Sequence, residues 1–113
     1  MYVLFIVIND IDYLDDILSG FVEEDINGAT ILDSQGMGSA IVANNYKSIP
    51  LFGSLKTVLS DAHPYNKTIF TVLEDEQAVE RAVAVVQEVL GDIDKTGLGF
   101  MFSVPIGKVY PIE

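Results

Sequence analysis

Two glycine-rich turns are the stretches of this sequence whose composition best suits ligand binding. The first is Gly36-Met37-Gly38, and the second spans residues 96–99 with glycines at Gly97 and Gly99. Because glycine lets backbone N–H groups converge on an anion, either turn could cradle a phosphate. A lone glycine-x-glycine is also common in plain structural turns. The alternatives are therefore a hinge after a strand for the first turn and a tight turn into a strand for the second.

Side chains suited to acid–base or metal chemistry are scattered along the chain. His63 is the single histidine and there is no cysteine, so we interpret His63 as a solvated turn residue and not as a transition-metal ligand. The adjacent acids Asp15-Asp16 and 23–25 diverge on a helix, and we interpret them as solvated faces. No serine or threonine lies in a recognisable nucleophile motif. The sequence therefore predicts a protein that is not an enzyme.

The charge balance limits the class of partner. The chain has 113 residues, enough for one domain covering 1–113, and a formal net charge of −11 with six lysines and arginines. Phosphate contacts need clustered cations, so nucleic acid and anionic membranes are disfavoured partners. No apolar stretch approaches the roughly 18 residues of a membrane span. The absence of cysteine and of a signal-peptide pattern predicts a cytoplasmic location.

Runs of apolar and β-branched residues predict four strands. They cover residues 2–8, 29–35, 67–73 and 100–104. Residues 109–112 are predicted as a short edge piece that Pro111 weakens. Residues 39–66 form a variable loop that could hold a short helix at 53–59. Tyr46 and Tyr65 flank this loop and are interpreted either as anchors for a protein partner or as local packing.

The first helix is predicted after an N-cap at Asn9 or Asp10. It should end by Glu24, ahead of the Asn27-Gly28 turn signal. Helical spacing predicts that one face buries Ile11, Leu14, Leu18 and Phe21, with Ile17 and Val22 flanking it.

The second helix has the clearer pattern. Glu74 or Asp75 is its predicted N-cap, and Gly91 its predicted C′ glycine. Its buried stripe is predicted to contain Val79, Ala82, Val83, Val86, Val89 and Leu90.

The element order predicts an α+β fold of the ferredoxin-like type. The pattern β-α-β, loop, β-α-β corresponds to the split βαβ arrangement, with an antiparallel four-stranded sheet and both helices on one face. Right-handed crossovers place the first and third strands in the centre. Both central strands are apolar at nearly every position, so one sheet face would remain apolar and uncovered. Such a face predicts association of subunits.

Two segments together resemble the PII (GlnB-like) nitrogen-regulatory proteins. In DINGATILDSQGMGSA, residues 25–40, the matches to the family's second strand and its G-x-G ending are Gly28, Thr30, Ile31, Gly36 and Gly38. In TGLGFMFSVPIGKVYPI, residues 96–112, the matches to the family's closing segment are Gly97, Gly99, Phe102 and Val109.

The resemblance implies a cytoplasmic homotrimer with its sheets facing inward. Family members bind ATP or ADP in clefts between subunits, with Mg²⁺ and 2-oxoglutarate in many cases, and a loop after the second strand contacts transporters, enzymes or regulators. On this resemblance, a ligand site would be framed through the backbones of Thr30, Gly36, Gly38, Gly97 and Gly99.

The sequence departs from the family where the family holds phosphates. Phe100 stands in place of a lysine, and Pro111 and Glu113 in place of arginines, while Ser39 and Ala40 replace basic and amide residues. A triphosphate carries about four negative charges and needs Lys, Arg or a metal to offset them. The candidates to replace the missing cations are Lys56, Lys95 and Lys108. The sequence therefore predicts weak or absent ATP binding and leaves the effector unidentified.

Two alternatives share the predicted architecture. One is a trimeric scaffold without a ligand, whose acidic surface binds a partner. The other is a metal-binding trimer like the copper-tolerance protein family CutA, which shares the trimeric fold. The His-Pro-Tyr tripeptide of that family also occurs here at residues 63–65, but in a different context, and we interpret this overlap as chance.

Overall fold

The computed structural model describes residues 1–43, 66–91 and 97–112. Within these ranges the chain forms antiparallel strands connected by helices and turns. The elements in chain order are β1 (Tyr2–Ile8), a 3-10 turn (Ile11–Tyr13), α1 (Leu14–Glu23), β2 (Thr30–Ser34), α2 (Met37–Ala43), β3 (Asn66–Leu73), α3 (Glu76–Leu90) and β4 (Gly99–Pro105). The four predicted strands are confirmed, with ends that differ by at most one residue.

The sheet has the strand order β2-β3-β1-β4, and each neighbouring pair is antiparallel. In this register Phe5 of β1 lies opposite Phe70 of β3 on one side and Phe102 of β4 on the other. The central position of the first and third strands is confirmed. The architecture is α+β, with a four-stranded antiparallel sheet and α1 and α3 packed on one face, consistent with a ferredoxin-like fold.

The core lies between the sheet and the helices α1 and α3. The sheet contributes Leu4, Ile6, Ile8, Ile69 and Leu73, and the two long helices contribute Ile17, Phe21, Ala78, Val79, Ala82, Val85 and Val86. Alternate residues of β1 and β3 thus point into the core, and the intervening residues point to the opposite face.

The predicted buried face of α1 is partly wrong. Ile17 and Phe21 are its buried residues, whereas Ile11 and Val22 are exposed. Ile11 belongs to the 3-10 turn and is therefore out of phase with the α-helix. The helix ends at Glu23, but Asp25, with a φ of 60°, makes the turn in place of Asn27-Gly28.

The end of α3 also differs from the prediction. Gly91 follows the helix, but its φ of −66° is not the left-handed conformation of a C′ glycine. A Cβ on Gly91 would lie 2.4 Å from the Gln87 carbonyl oxygen, so close approach of the backbone favours glycine there. The buried face of α3 also contains Ala78 and Val85, which were not predicted to be buried. The predicted residues Val83, Val89 and Leu90 are only partly buried.

Each helical segment selects one of its two predicted caps. The Asp10 carboxylate accepts a hydrogen bond from Asp12 N at 3.0 Å, and the Asp75 carboxylate accepts one from Ala78 N at 2.8 Å. These bonds satisfy amides that the first turn leaves without partners. Asn9 is therefore not the cap, and its side chain donates a hydrogen bond to the Gly97 carbonyl instead.

Two further differences from the prediction lie in the segment before β3 and in the segment after β4. Residues 39–43 of the predicted variable loop belong to α2. The predicted helix at 53–59, together with Tyr46, His63 and Tyr65, lies outside the described residues. Residues 109–112 do not form the predicted edge strand, since they leave the sheet after Pro105 and Pro111 has no N–H to donate.

Candidate functional site

The sheet face opposite α1 and α3, here called the open face, carries a row of aromatic rings. The ring centroids of Phe5 and Phe70 are 6.0 Å apart, those of Phe5 and Phe102 are 4.9 Å apart, and Phe100 continues the row at 6.1 Å from Phe102. Phe100 is 61% exposed and Phe102 is 45% exposed. Exposed apolar patches of this kind are typical of interaction surfaces.

The rest of the open face is uncharged in the part of the chain that the structure describes. Strand register places the following residues beside the phenylalanine row: Val3, Val7, Thr30, Leu32, Thr68, Val72 and Val104. With no buried charge to neutralise, covering this face carries little desolvation cost.

Amide and hydroxyl groups replace the apolar side chains at one end of the open face. Asn66 Nδ2 donates to Asn9 Oδ1 at 3.4 Å, and the Ser34 hydroxyl donates to Asn66 Oδ1 and lies 2.8 Å from Thr68 Oγ1. We call Asn9, Ser34, Asn66 and Thr68 the polar edge. It joins the ends of β1 and β2 to the beginning of β3.

The turn before β4 is attached to the polar edge. Asn9 Nδ2 donates to the Gly97 carbonyl at 2.6 Å, and Asn9 N donates to the Leu98 carbonyl at 2.7 Å. Gly97 and Gly99 have φ values of 87° and 152°, so the tight turn requires glycine. Both predicted glycines are therefore explained by backbone geometry, whether or not a ligand binds. Thr96 lies outside the described residues.

The other predicted turn begins a helix. The Gly36 carbonyl accepts a hydrogen bond from Ala40 N at 2.9 Å, and Gly38 lies inside α2. The strand thus passes directly into a helical segment at Gly36-Met37-Gly38. A Cβ on Gly36 would lie 3.9 Å from Asn66 Nδ2, so this turn also borders the polar edge.

The structure brings both glycine turns to the same end of the sheet but leaves Thr30 apart. Thr30 is at the other end of β2, opposite Phe70, about 13 Å along the strand from Ser34. The sequence interpretation missed the polar edge itself. The available signal was that Asn9, Ser34 and Asn66 stand at strand ends that meet in an antiparallel sheet.

Loss of the Asn9 side chain should loosen the turn before β4. Asn9→Ala removes the bond to the Gly97 carbonyl and the acceptor of Asn66, so we expect a loss of about 1–2 kcal/mol in the free energy of unfolding. Urea denaturation measures this, and amide exchange across residues 97–99 should accelerate. Asn27→Ala, a matched change in an exposed loop, should stay within about 0.5 kcal/mol of the parent. Equal losses in the two variants would contradict a structural role for the polar edge.

None of the lysines and arginines in the described ranges has its side chain on the same sheet face as the polar edge and within its hydrogen bonds. Lys67 forms an ion pair with Asp33 on the helix side of the sheet. Lys108 lies over the Tyr110 ring, 5.3 Å from its centroid, and Arg81 is exposed on α3. Lys56 and Lys95 are outside the described ranges. Among the three cations that the structure describes, none replaces the family lysine or arginines at the glycine turns.

A concavity lies on the helix side of the sheet, between α3 and β4. It has a volume of 520 Å³ and is lined by Tyr2, Glu76, Gln77, Val79, Glu80 and Ser103. Tyr2 Oη donates to Glu76 Oε1 at 3.0 Å. This hydrogen bond, helped by the negative charge of Glu76, raises the pKa of the Tyr2 phenol above its ordinary value of 10.0.

The Tyr2–Glu76 bond should make stability depend on pH in the alkaline range. The folded state holds the Tyr2 proton more tightly than the unfolded chain, because the pKa is raised in the folded state. The stabilisation is therefore complete below pH 10.0 and is lost as pH rises through the folded pKa. Tyr2→Phe should remove this part of the dependence, and urea midpoints measured on both sides of that pH test it. Identical alkaline profiles of Tyr2→Phe and the parent would contradict the contribution of the bond.

Across 1–43, 66–91 and 97–112, no three His, Cys, Asp or Glu side chains are grouped as metal ligands would be. None of the helices described there is both long and apolar enough to cross a bilayer.

Comparison with known proteins leaves the family unassigned. No protein-family model matches the chain, and no curated protein matches its sequence significantly. Function is therefore inferred from the open face, the polar edge and the sequence patterns.

Proposed function

We propose that this protein is a PII-like, homotrimeric signalling protein of the cytoplasm. It senses a small effector in clefts between subunits, acts on a protein partner through residues 39–66, or does both. The observation that carries the proposal is the combination, on one sheet face, of an uncovered aromatic row with a polar edge that both glycine turns border.

The composition of the open face supports the proposed assembly through it. Full burial of one phenylalanine side chain is worth about 1.5–3 kcal/mol, and the face presents four rings together with Leu32, Val72 and Val104. Soluble oligomers adopt closed symmetry, so each copy would contribute the same face. The trimeric stoichiometry comes from the PII resemblance.

The position of the polar edge supports the proposal of a ligand cleft there. The edge lies at the rim of the open face, so a neighbouring subunit that covered the face would also border the edge. Its groups are neutral amides and hydroxyls, which donate and accept hydrogen bonds but do not offset phosphate charge. Lys67 points to the other face of the sheet, where it pairs with Asp33, and Arg81 lies on α3. Together these features support an effector other than a nucleoside triphosphate.

Two measurements on the full chain test the proposal. Light scattering should give the mass of three chains at micromolar concentration, and a monomeric mass would overturn the proposal. A thermal-shift screen with ATP, ADP, Mg²⁺, cyclic dinucleotides, bicarbonate and divalent metals should reveal a ligand that raises the melting temperature. Asn66→Ala should reduce that shift, while the matched Asn27→Ala should not. Micromolar affinity for ATP would contradict the expected weak nucleotide binding.

A second candidate function is an interaction scaffold without a small ligand. The groove between α1 and α3 is lined on both sides by carboxylates: Asp16, Glu23, Glu24 and Glu88. These side chains suit a basic protein surface, and the net charge of −11 would steer such a partner toward the chain. A trimeric mass with a flat thermal response to the whole panel would favour this scaffold over the effector-binding protein.

A further inference from the structure

Asn27-Gly28 is a dipeptide whose chemistry neither the fold nor the proposed function uses. Asp25 makes the turn after α1, so Asn27 and Gly28 lie in the connection to β2, where both are exposed to water. Within the described part of the chain, no hydrogen bond restrains the Asn27 side chain or the Gly28 N–H. A Cβ on Gly28 would meet no atom within 4 Å, so the surroundings of this amide are open.

The chemistry open to this dipeptide is the loss of the side-chain amide. Asparagine is a labile residue, and an exposed asparagine followed by glycine reacts without an enzyme. The deprotonated Gly28 nitrogen attacks Asn27 Cγ, the new C–N bond closes a succinimide ring, and the Cγ–Nδ2 bond breaks to release ammonia. Glycine permits ring closure because it has no Cβ to obstruct it. Water then opens the ring at either carbonyl carbon and gives aspartate or isoaspartate.

Position 27 lies between two fixed points of the backbone. On one side Ile26 is buried, and its N–H donates to the Phe21 carbonyl at 2.8 Å. On the other side the Gly28 carbonyl accepts a hydrogen bond from the Thr71 hydroxyl at 2.5 Å. Thr71 is only 2% exposed, so this carbonyl satisfies a hydroxyl in the core. An isoaspartate would add one methylene, about 1.5 Å, to the backbone between the two points.

We infer that Asn27 is a site of spontaneous deamidation, and that its isoaspartate product detaches the start of β2 from the core. The added methylene displaces the Gly28 carbonyl from the Thr71 hydroxyl, which is then buried without its acceptor. Thr30, the first residue of β2, follows two positions later, so the displacement acts on the outer strand. The aspartate product keeps the original backbone path and the hydrogen bond. The two products therefore carry the same charge but differ in stability.

Peptide mapping by tandem mass spectrometry tests the modification in the full chain. After incubation for days at mildly alkaline pH, we expect the mass gain of amide-to-acid conversion at Asn27, with isoaspartate detected by an isoaspartyl methyltransferase. The rate should rise with pH, because the attacking nitrogen must lose its proton. Asn9 and Asn66 are internal controls, since Asp10 and Lys67 follow them and their side chains are hydrogen-bonded.

Gly28→Ala is the matched variant for the rate of deamidation. Its Cβ would lie in open space, so the fold should be kept, but the methyl group obstructs ring closure and should slow conversion at Asn27 severalfold. An unmodified Asn27, or conversion no faster than at Asn9 and Asn66, would overturn the assignment of the site. Equal rates in Gly28→Ala and the parent would overturn the proposed route.

Thermal melting of the separated forms tests the consequence for β2. The isoaspartate form should melt several degrees below the parent, because a buried hydroxyl has lost its acceptor. Asn27→Asp carries the same charge on an unchanged backbone and should melt close to the parent. Thr71→Val has no hydroxyl to satisfy, so isoaspartate formation should lower its melting temperature less. Equal melting of the isoaspartate form and Asn27→Asp, or an equal loss with and without the Thr71 hydroxyl, would overturn the detachment of β2.

Discussion

Phe102→Glu is expected to convert the assembled protein into monomers. Phe102 lies on the open face, stacked 4.9 Å from Phe5 between ring centroids. In the assembly its replacement would place an unpaired carboxylate in an apolar interface, at a cost of several kcal/mol for each ion. Cyclic symmetry repeats that cost in every subunit, and the net charge of −11 adds repulsion between copies. Light scattering measures the change as a fall from the assembled mass to that of one chain.

The matched control for Phe102→Glu is Val22→Glu. Val22 is also apolar and exposed, but it lies on α1, away from the open face. We expect this variant to keep the parent's mass, and both variants to keep the parent's circular dichroism, because neither side chain is in the core. An unchanged assembled mass for Phe102→Glu would show that the open face is not the interface.

Gly99→Ala is expected to destabilise the fold more than any other glycine-to-alanine change among the described positions. A Cβ at Gly99 would lie 1.9 Å from the Val7 carbonyl oxygen, and its φ of 152° is rarely adopted by residues with a side chain. Strain where β1 meets β4 should lower the free energy of unfolding by about 3–5 kcal/mol. Urea denaturation at one fixed protein concentration measures the loss.

Two other glycines calibrate the Gly99 result. Gly28 has open space where a Cβ would lie, so Gly28→Ala should stay within about 0.5 kcal/mol of the parent. Gly97 has a φ of 87° but similarly open surroundings, so Gly97→Ala should cost about 1–2 kcal/mol from backbone conformation alone. Equal losses at positions 28 and 99 would contradict the close contact with Val7.

Local pattern was sufficient to predict the elements and their order. The apolar run of β1, the helical spacing after Asp75 and the β-branched residues of β3 each carry their signal within a few residues. Strand order followed from chirality of the crossovers. The uncovered apolar face was predictable from the strands themselves, since both central strands are apolar at nearly every position and therefore on both faces.

The features that the sequence did not reveal depend on contacts between distant residues. Asn9 and Asp10 are equally suited to cap a helix, and the choice depends on the Gly97 carbonyl, 88 positions away from Asn9. The polar edge needs the register of β2 with β3, which pairs Ser34 with Asn66. The buried face of α1 differs from the predicted one because Ile11 belongs to the 3-10 turn and not to the α-helix. Single-residue propensities contain none of this information.

The outer strands bear on how large an assembly this chain can form. A protein that associates through a sheet face also risks endless edge-to-edge pairing, in which strands of successive molecules extend one sheet into a fibril. Strand β2 has 5 residues against 8 in β3, and β4 ends at Pro105, which has no N–H to offer a further strand. Both features weaken the sheet edges as templates for strand addition. We expect growth to stop once the open faces are covered, leaving closed particles of defined size and not fibrils.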